Sequence, residues 1–162
     1  MSEAKNITNS HTTPKPIHFS RKRRLARIMA IQTIYSIMIQ PSDDLNLNKA
    51  IYNIIKMYEE RRITYNSGDE KYLIHLVKGC YDQMDTLDNQ IQKYLSAEWK
   101  LERIGKVVQT LLRVAAFELI HCIDTDGAVI INEYLEIAKY LNHDGEVGFI
   151  NSVLDKIAKC KL

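Results

Sequence analysis

Residues 104–122 carry the sequence IGKVVQTLLRVAAFELIHC, and this stretch decides the fold. Its apolar side chains recur every three to four residues, at Ile104, Val108, Leu111, Leu112, Ala115, Leu119 and Cys122. A repeat of about 3.6 residues places them on one face of an α-helix, whereas a half-buried strand would alternate every two residues. The pattern therefore predicts a long amphipathic helix.

The same spacing continues on both sides of this stretch. Ser20 can cap a first helix that ends before Pro41, and Asn46 can cap a second one. Three more helices are predicted over 70–95, 131–141 and 149–157. The one strand-like run, 128–131, is too short to tell from the start of a buried helix.

These elements predict an all-α fold, a compact bundle of six to seven helices joined by short loops. A chain of 162 residues has the length of one domain. Residues 1–19 are polar, hold Pro14 and Pro16, and are predicted to form a disordered arm. Residues 20–162 are predicted to form a single helical domain.

Composition excludes several classes of protein. The longest uninterrupted apolar run has four residues, far below the length that spans a bilayer. No charged-then-apolar leader opens the sequence, so we do not expect secretion. Three widely spaced cysteines, Cys80, Cys122 and Cys160, suggest free thiols in a reducing compartment. We therefore expect a cytoplasmic protein.

Charge is distributed unevenly along the chain. Residues 1–42 hold seven Lys or Arg and one acid, a net charge of +6, whereas residues 43–162 hold fifteen bases and nineteen acids, a net charge of −4. The bases concentrate in RKRRLAR at 21–27. Arginine-rich segments commonly order on RNA, because guanidinium groups bind phosphates through a planar fork. A solvated helix start, an acidic protein partner and a localisation signal are the alternatives.

Residues typical of catalysis or metal binding do not form a recognisable pattern. His75 and Cys80 are five residues apart, and His121 is adjacent to Cys122, so neither pair can face one ion from one helix side. The six glycines are scattered and form no phosphate-binding loop. We predict no catalytic residue, no metal site and no cofactor.

Several ordered segments resemble those of the NusB family. After the arginine run, Ala30, Gln32 and Tyr35 match the pattern A-x-Q-x-x-Y. Downstream, the matching segments are WKLERI at 99–104, LRVAAFEL at 112–119, INEYLEIAK at 131–139 and FINSVLDKI at 149–157. Their joint occurrence between residues 21 and 159 is far more specific than any one segment.

The resemblance implies a NusB-like transcription antitermination factor, which is a binding protein and not an enzyme. Family members bind the single-stranded boxA element of nascent RNA, best as a heterodimer with NusE, a ribosomal small-subunit protein. The complex then joins RNA polymerase with NusA and NusG and supports transcription of ribosomal RNA operons. The NusB fold also opens RNA cytosine methyltransferases, but only three residues follow Lys159, so we expect no catalytic domain.

Carried over residue by residue, the resemblance implies an RNA site built from Arg21, Lys22, Arg23, Arg24, Arg27, Gln32, Tyr35, Tyr94 and Phe149. Taken singly, each aromatic is more often a core residue, and Glu133 is interpreted as structural. Three positions depart from the family pattern. Leu25 takes an arginine position, Gly145 takes that of an acid facing RNA, and Ser152 replaces a glycine.

A second function remains open at this point. The chain is also compatible with a protein-interaction module that docks NusE, or a second copy of itself as a homodimer, with weak RNA affinity. An exposed basic face can be covered by self-association, and the residues alone do not distinguish the two functions.

Overall fold

Seven α-helices make up most of what the computed structural model describes, residues 19–61 and 67–160. They are Phe19–Ile39 (α1), Leu47–Glu60 (α2), Ser67–Asp82 (α3), Met84–Tyr94 (α4), Lys106–His121 (α5), Gly127–Tyr140 (α6) and Val147–Lys159 (α7). Two short 3₁₀ helices, Leu101–Arg103 and Asp144–Glu146, precede α5 and α7. No strand occurs in the two described ranges, and the predicted all-α fold is confirmed.

The central helix of the bundle is α5. It packs against α1, α3, α4, α6 and α7, and every residue over 108–119 is buried. A helix that is covered on all sides buries its whole circumference, whereas the sequence predicted a single buried stripe. The polar residues among these twelve bond to backbone carbonyls or to oppositely charged side chains, which makes their burial tolerable.

The helix predicted over 70–95 is two helices, and in that respect the prediction is wrong. Gln83, with φ −109° and ψ 16°, separates α3 from α4. No Gly or Pro stands at the break. The two halves have different neighbours, because α3 packs against α1 and α5 whereas α4 packs against α5 and α7. Tertiary packing, and not a local helix breaker, turns the chain here.

Helix starts follow local capping where the sequence offers it. Asn46 caps α2 as predicted, because its side chain accepts a hydrogen bond from the Lys49 N–H at 3.1 Å. Asp126 caps α6 by accepting from the Ala128 N–H at 3.0 Å. Because of this cap, α6 begins at Gly127, and the short strand-like run that follows is helical.

The prediction for the N-terminal arm is tested only at its end. The first described residue, Phe19, is helical, so Ser20 lies inside α1 and does not cap it. Residues 1–18 lie outside the described residues, and their predicted disorder stays a prediction. None of the helices described is both long and apolar enough to cross a membrane.

Candidate nucleic-acid interface

The basic run lies at the start of α1, and the fold sorts its residues by depth. Lys22, Arg23 and Arg24 are partly exposed, and 39% of the Arg24 side chain is accessible. Arg27, about one turn further along, is only 3% exposed. The side chain of Arg21 lies outside the described part of the chain. We call Lys22, Arg23 and Arg24 the basic face.

Arg27 is held inside the bundle by Glu118 of α5. Its Nε donates to Oε2 at 2.9 Å and its Nη2 donates to Oε1 at 2.6 Å. The hydroxyl of Tyr134 donates to the same carboxylate at 2.6 Å, and that of Tyr72 makes a further short hydrogen bond to it. Burial lowers the pKa of Arg27, but the bonds to Glu118 outweigh it and the net shift is upward.

The expectation that Arg27 faces a ligand is corrected by this geometry. Its guanidinium neutralises a fully buried carboxylate, and breaking such a pair would leave an uncompensated charge in the core. Arg27 therefore docks α1 onto α5, and it contributes no surface charge.

Arg24 is paired in a similar way with Glu133 of α6, nearer the surface. Its Nε donates to Oε2 at 2.8 Å and its Nη2 donates to Oε1 at 2.7 Å. This hydrogen bonding raises the pKa of Arg24 and lowers that of Glu133. Nη1 of Arg27 also lies 3.5 Å from Oε2 of Glu133, so Arg24 and Arg27 share this carboxylate. The fork leaves Nη1 of Arg24 outside it.

Arg23 is anchored beside α3 and the loop between α5 and α6. Its Cζ lies 4.6 Å from the centre of the Tyr72 ring, and its Nη1 donates to the Thr125 hydroxyl at 3.4 Å. A cation over an aromatic face is attracted by the ring quadrupole without losing its charge. These contacts place Arg23 next to Arg24 at the same end of the molecule.

Gln32 and Tyr35 lie further along α1 and away from the basic face. Gln32 accepts a hydrogen bond from the Tyr58 hydroxyl at 2.7 Å, and Tyr35 is half-buried. At 1.5 Å per residue, Tyr35 is about 16 Å from Arg24 along the helix axis. The structure therefore joins Gln32 to α2 and does not bring either residue to the arginines.

A separate aromatic cavity lies at the start of α7, where Phe149 faces Trp99. The ring centres are 6.4 Å apart, and Trp99 is 52% exposed. The cavity has a volume of about 330 Å³, and Arg103 and His143 contribute to its lining. The sequence did not predict Trp99 and Arg103 as candidate site residues, because they lie in a connection between helices where only the match to W-x-L-x-R marked them.

Tyr94 does not share this cavity. It is the last residue of α4, and a hydrogen bond with Cys160 raises its pKa. Cys160 caps the C-terminal end of α7, whereas Phe149 lies near its start, about 16 Å away along the axis. Two of the three aromatic residues predicted to meet RNA, Tyr94 and Phe149, thus lie near opposite ends of α7.

One thiol and one imidazole meet in a way that sequence spacing did not predict. Sγ of Cys122 lies 3.8 Å from Nε2 of His75, across the α3–α5 contact. Within residues 19–61 and 67–160, no three His, Cys, Asp or Glu residues cluster so that they could hold a metal ion. The pair by itself has too few ligands for a structural zinc site.

Comparison with known proteins bears directly on the family. The model of the NusB family matches residues 24–159. The transcription antitermination protein NusB of Acetivibrio thermocellus is 35% identical over 140 residues, which cover 86% of this chain and 90% of that protein. The chain belongs to the NusB family.

Solved NusB structures share the fold. T. maritima NusB has a TM-score of 0.71 at 26% identity, over 85% of this chain and 90% of that one. A NusB in complex with NusE and double-stranded RNA has a TM-score of 0.71 at 24% identity, over 86% of this chain and 98% of that one. Curated NusB relatives are named as transcription antitermination proteins, and the chain is accordingly not an enzyme.

The three departures from the NusB pattern cost the fold little. Ser152 is exposed on α7, so it replaces a glycine without a packing conflict. Gly145 is exposed, and a Cβ placed there would meet nothing within 4 Å. Leu25 is partly buried against the core, so it cannot extend the basic face.

Proposed function

We propose that this NusB-family protein is a transcription antitermination factor that binds single-stranded, boxA-like RNA together with NusE. The bound pair then joins RNA polymerase with NusA and NusG in the cytoplasm. The basic face carries this proposal. Three partly exposed cationic side chains follow one another at the start of α1, and Glu133, the carboxylate that holds Arg24, is only 12% exposed.

Phosphate groups suit the basic face chemically. Nη1 of Arg24 lies outside its fork with Glu133 and can donate to a phosphate oxygen. Upstream of α1, residues 1–18 hold two lysines and one glutamate and add a net charge of +1. Such contacts fix the position of an RNA strand but carry no sequence information, so base selection needs other groups.

The aromatic cavity supplies groups of that second kind. Unpaired bases stack on aromatic rings and on guanidinium planes, and Phe149, Trp99 and Arg103 present both. Its volume of about 330 Å³ lies in the range of small-ligand pockets. We propose that the aromatic cavity binds an unpaired base of the RNA, whereas the basic face binds its phosphates.

NusE is the protein partner that the comparisons favour. A NusB of the same fold forms a complex with NusE and double-stranded RNA. We therefore propose NusE as the partner of this chain, with RNA polymerase, NusA and NusG as later members of the assembly.

One observation favours the second function, a protein-interaction module with weak RNA affinity. Arg24 and Arg27 already hold carboxylates of their own chain, which reduces the positive charge offered to RNA. A module of this kind would bind NusE, or a second copy of itself, and would gain little from RNA.

Anisotropy titrations of a labelled boxA-like RNA, with and without NusE, separate the two functions. We expect Lys22→Ala and Arg24→Ala to weaken RNA binding and to reduce the slope of log affinity against log salt by about 0.7 per lost contact. Lys49→Ala, which removes an exposed charge from α2, should change neither quantity.

Equal effects of all three substitutions, or an affinity independent of salt, would contradict RNA binding by the basic face. NusE binding without RNA binding would favour the interaction module. Gel filtration at several protein concentrations, with and without RNA, would reveal a homodimer.

A further inference from the structure

Four side chains of alternating charge form a continuous series from the core to the surface. In order outward they are Glu118, Arg27, Glu133 and Arg24, with exposed side-chain fractions of 0%, 3%, 12% and 39%. The closest contacts between successive members are 2.6, 3.5 and 2.7 Å. Each charge is offset by its neighbours, and of the four only Arg24 is exposed enough to meet a ligand. We call these residues the charge series.

We propose that Glu133 is a positioning residue for RNA binding, which holds the Arg24 guanidinium in one orientation so that a phosphate meets an ordered donor. The inference rests on the proposed function, because it concerns how the same basic face meets RNA. It assigns a role to a carboxylate that by charge alone would be expected to repel a polyanion.

The geometry of the fork supports this role. Two parallel hydrogen bonds, from Nε and Nη2 of Arg24, fix both the position and the plane of the guanidinium. Glu133 is itself held by Nη1 of Arg27, and Arg27 is locked by the buried Glu118. The orientation of Arg24 is therefore set from the core.

Prior ordering of a long side chain favours binding. A free arginine loses rotamer freedom when it grips a phosphate, and that loss weakens the complex. A side chain already held in its binding orientation loses less. The fork uses two of the five guanidinium N–H groups, so the second N–H of Nη2 and both N–H groups of Nη1 remain to meet a phosphate.

Repulsion between Glu133 and a phosphate acts in the opposite direction, and the chain offers a control for it. Glu136, on the same helix, also acts on Arg24 by its charge, but it makes no hydrogen bond to it. Instead, Glu136 accepts a hydrogen bond from Lys139 at 3.0 Å. Glu136→Gln thus removes a nearby negative charge and leaves the Arg24 fork intact.

The experiment compares Glu133→Gln with Glu136→Gln in the full chain, each with Arg24 present and with Arg24→Ala. Binding of a boxA-like RNA is measured by anisotropy across a salt series. With Arg24 present, we expect Glu133→Gln to weaken RNA binding about two- to tenfold, because RNA must then order one more side chain when it binds. The decrease of log affinity with log salt should also become shallower. Glu136→Gln should leave affinity unchanged or raise it. With Arg24→Ala, Glu133→Gln should cause no further weakening.

Each other result overturns the proposal. Tighter RNA binding by Glu133→Gln would show that the carboxylate competes with phosphate. Equal weakening with and without Arg24, at an unchanged salt slope, would show a loss of fold stability only. If Arg24→Ala leaves RNA affinity unchanged, the basic face of the proposed function fails together with this inference.

A measurement without RNA separates the two failures. The NMR signal of the Arg24 Nε–H should exchange slowly with water in the original chain and in Glu136→Gln, because the fork protects it. In Glu133→Gln the protection should be lost. Equal exchange in all three proteins would refute the positioning role, whatever the RNA measurements show.

Discussion

The buried pair of Arg27 and Glu118 makes a specific prediction about stability. Arg27→Met keeps a long apolar stem but removes the charge. Glu118 would keep its two tyrosine donors and lose every hydrogen bond from the guanidinium, at a site with no exposure to water. Removing one partner of a buried ion pair costs about 3–5 kcal/mol. Since domains unfold with about 5–15 kcal/mol, the variant should lose a large part of its stability.

Urea unfolding at neutral pH, followed by far-UV circular dichroism, measures this loss. The matched control is Arg24→Met, which removes the same fork from the more exposed pair with Glu133. Exposed ion pairs contribute about 0–1 kcal/mol, because water screens them and the side chains lose entropy. A loss below about 1 kcal/mol for Arg27→Met, or equal losses for the two variants, would refute the argument that burial decides the cost.

Three further predictions concern packing, pH and base binding. Gly79→Ala should lower the melting temperature, because a Cβ at this position would lie 2.0 Å from Cζ of Phe117. Overpacking of this kind costs about 1–3 kcal/mol. An unchanged melting temperature would contradict the close contact. Arg24 lowers the pKa of Glu133, so the stability from this carboxylate is complete above its unfolded pKa of about 4.3 and is lost as pH falls through the folded value. Urea unfolding below that pH should therefore show a shallower loss of stability in Glu133→Gln than in the original chain, and parallel curves would argue against the shift. Trp99→Ala should weaken RNA binding by about 1–3 kcal/mol, the contribution of one stacked base, at an unchanged salt slope; an unaltered affinity would remove the cavity from the site.

How much of the fold can be predicted from the sequence depends on the range of the interaction concerned. The helix at 104–122 follows from local periodicity, and the start of α2 follows from the local cap at Asn46. The break at Gln83 has no local signal, because neither Gly nor Pro marks it. It arises where α3 and α4 diverge to reach different neighbours, and such contacts are absent from a single stretch of sequence.

The site was harder to predict for the same physical reason. The run at 21–27 is uniformly basic by composition, but its members differ in what they face after folding. Arg24 finds a carboxylate 109 residues away, and Arg27 finds one 91 residues away. A count of positive charges in the run overstates the charge available at the surface, because it cannot identify a basic side chain that is neutralised by a carboxylate of a distant helix.

One signal in the sequence did mark the buried pair. Arg27 stands alone among apolar residues over 26–31, and Glu118 stands alone among apolar residues over 114–120. A single charge on a buried face must find an opposite charge, since burying either one unpaired is costly. Two such helices with opposite charges therefore predict each other as neighbours. The pairing fixes the rotation of α1 about its axis relative to α5. This rotation determines which basic side chains of the run at 21–27 reach the surface. The same core contact that buries Arg27 thus leaves Arg24 at the surface, where the proposed RNA site lies.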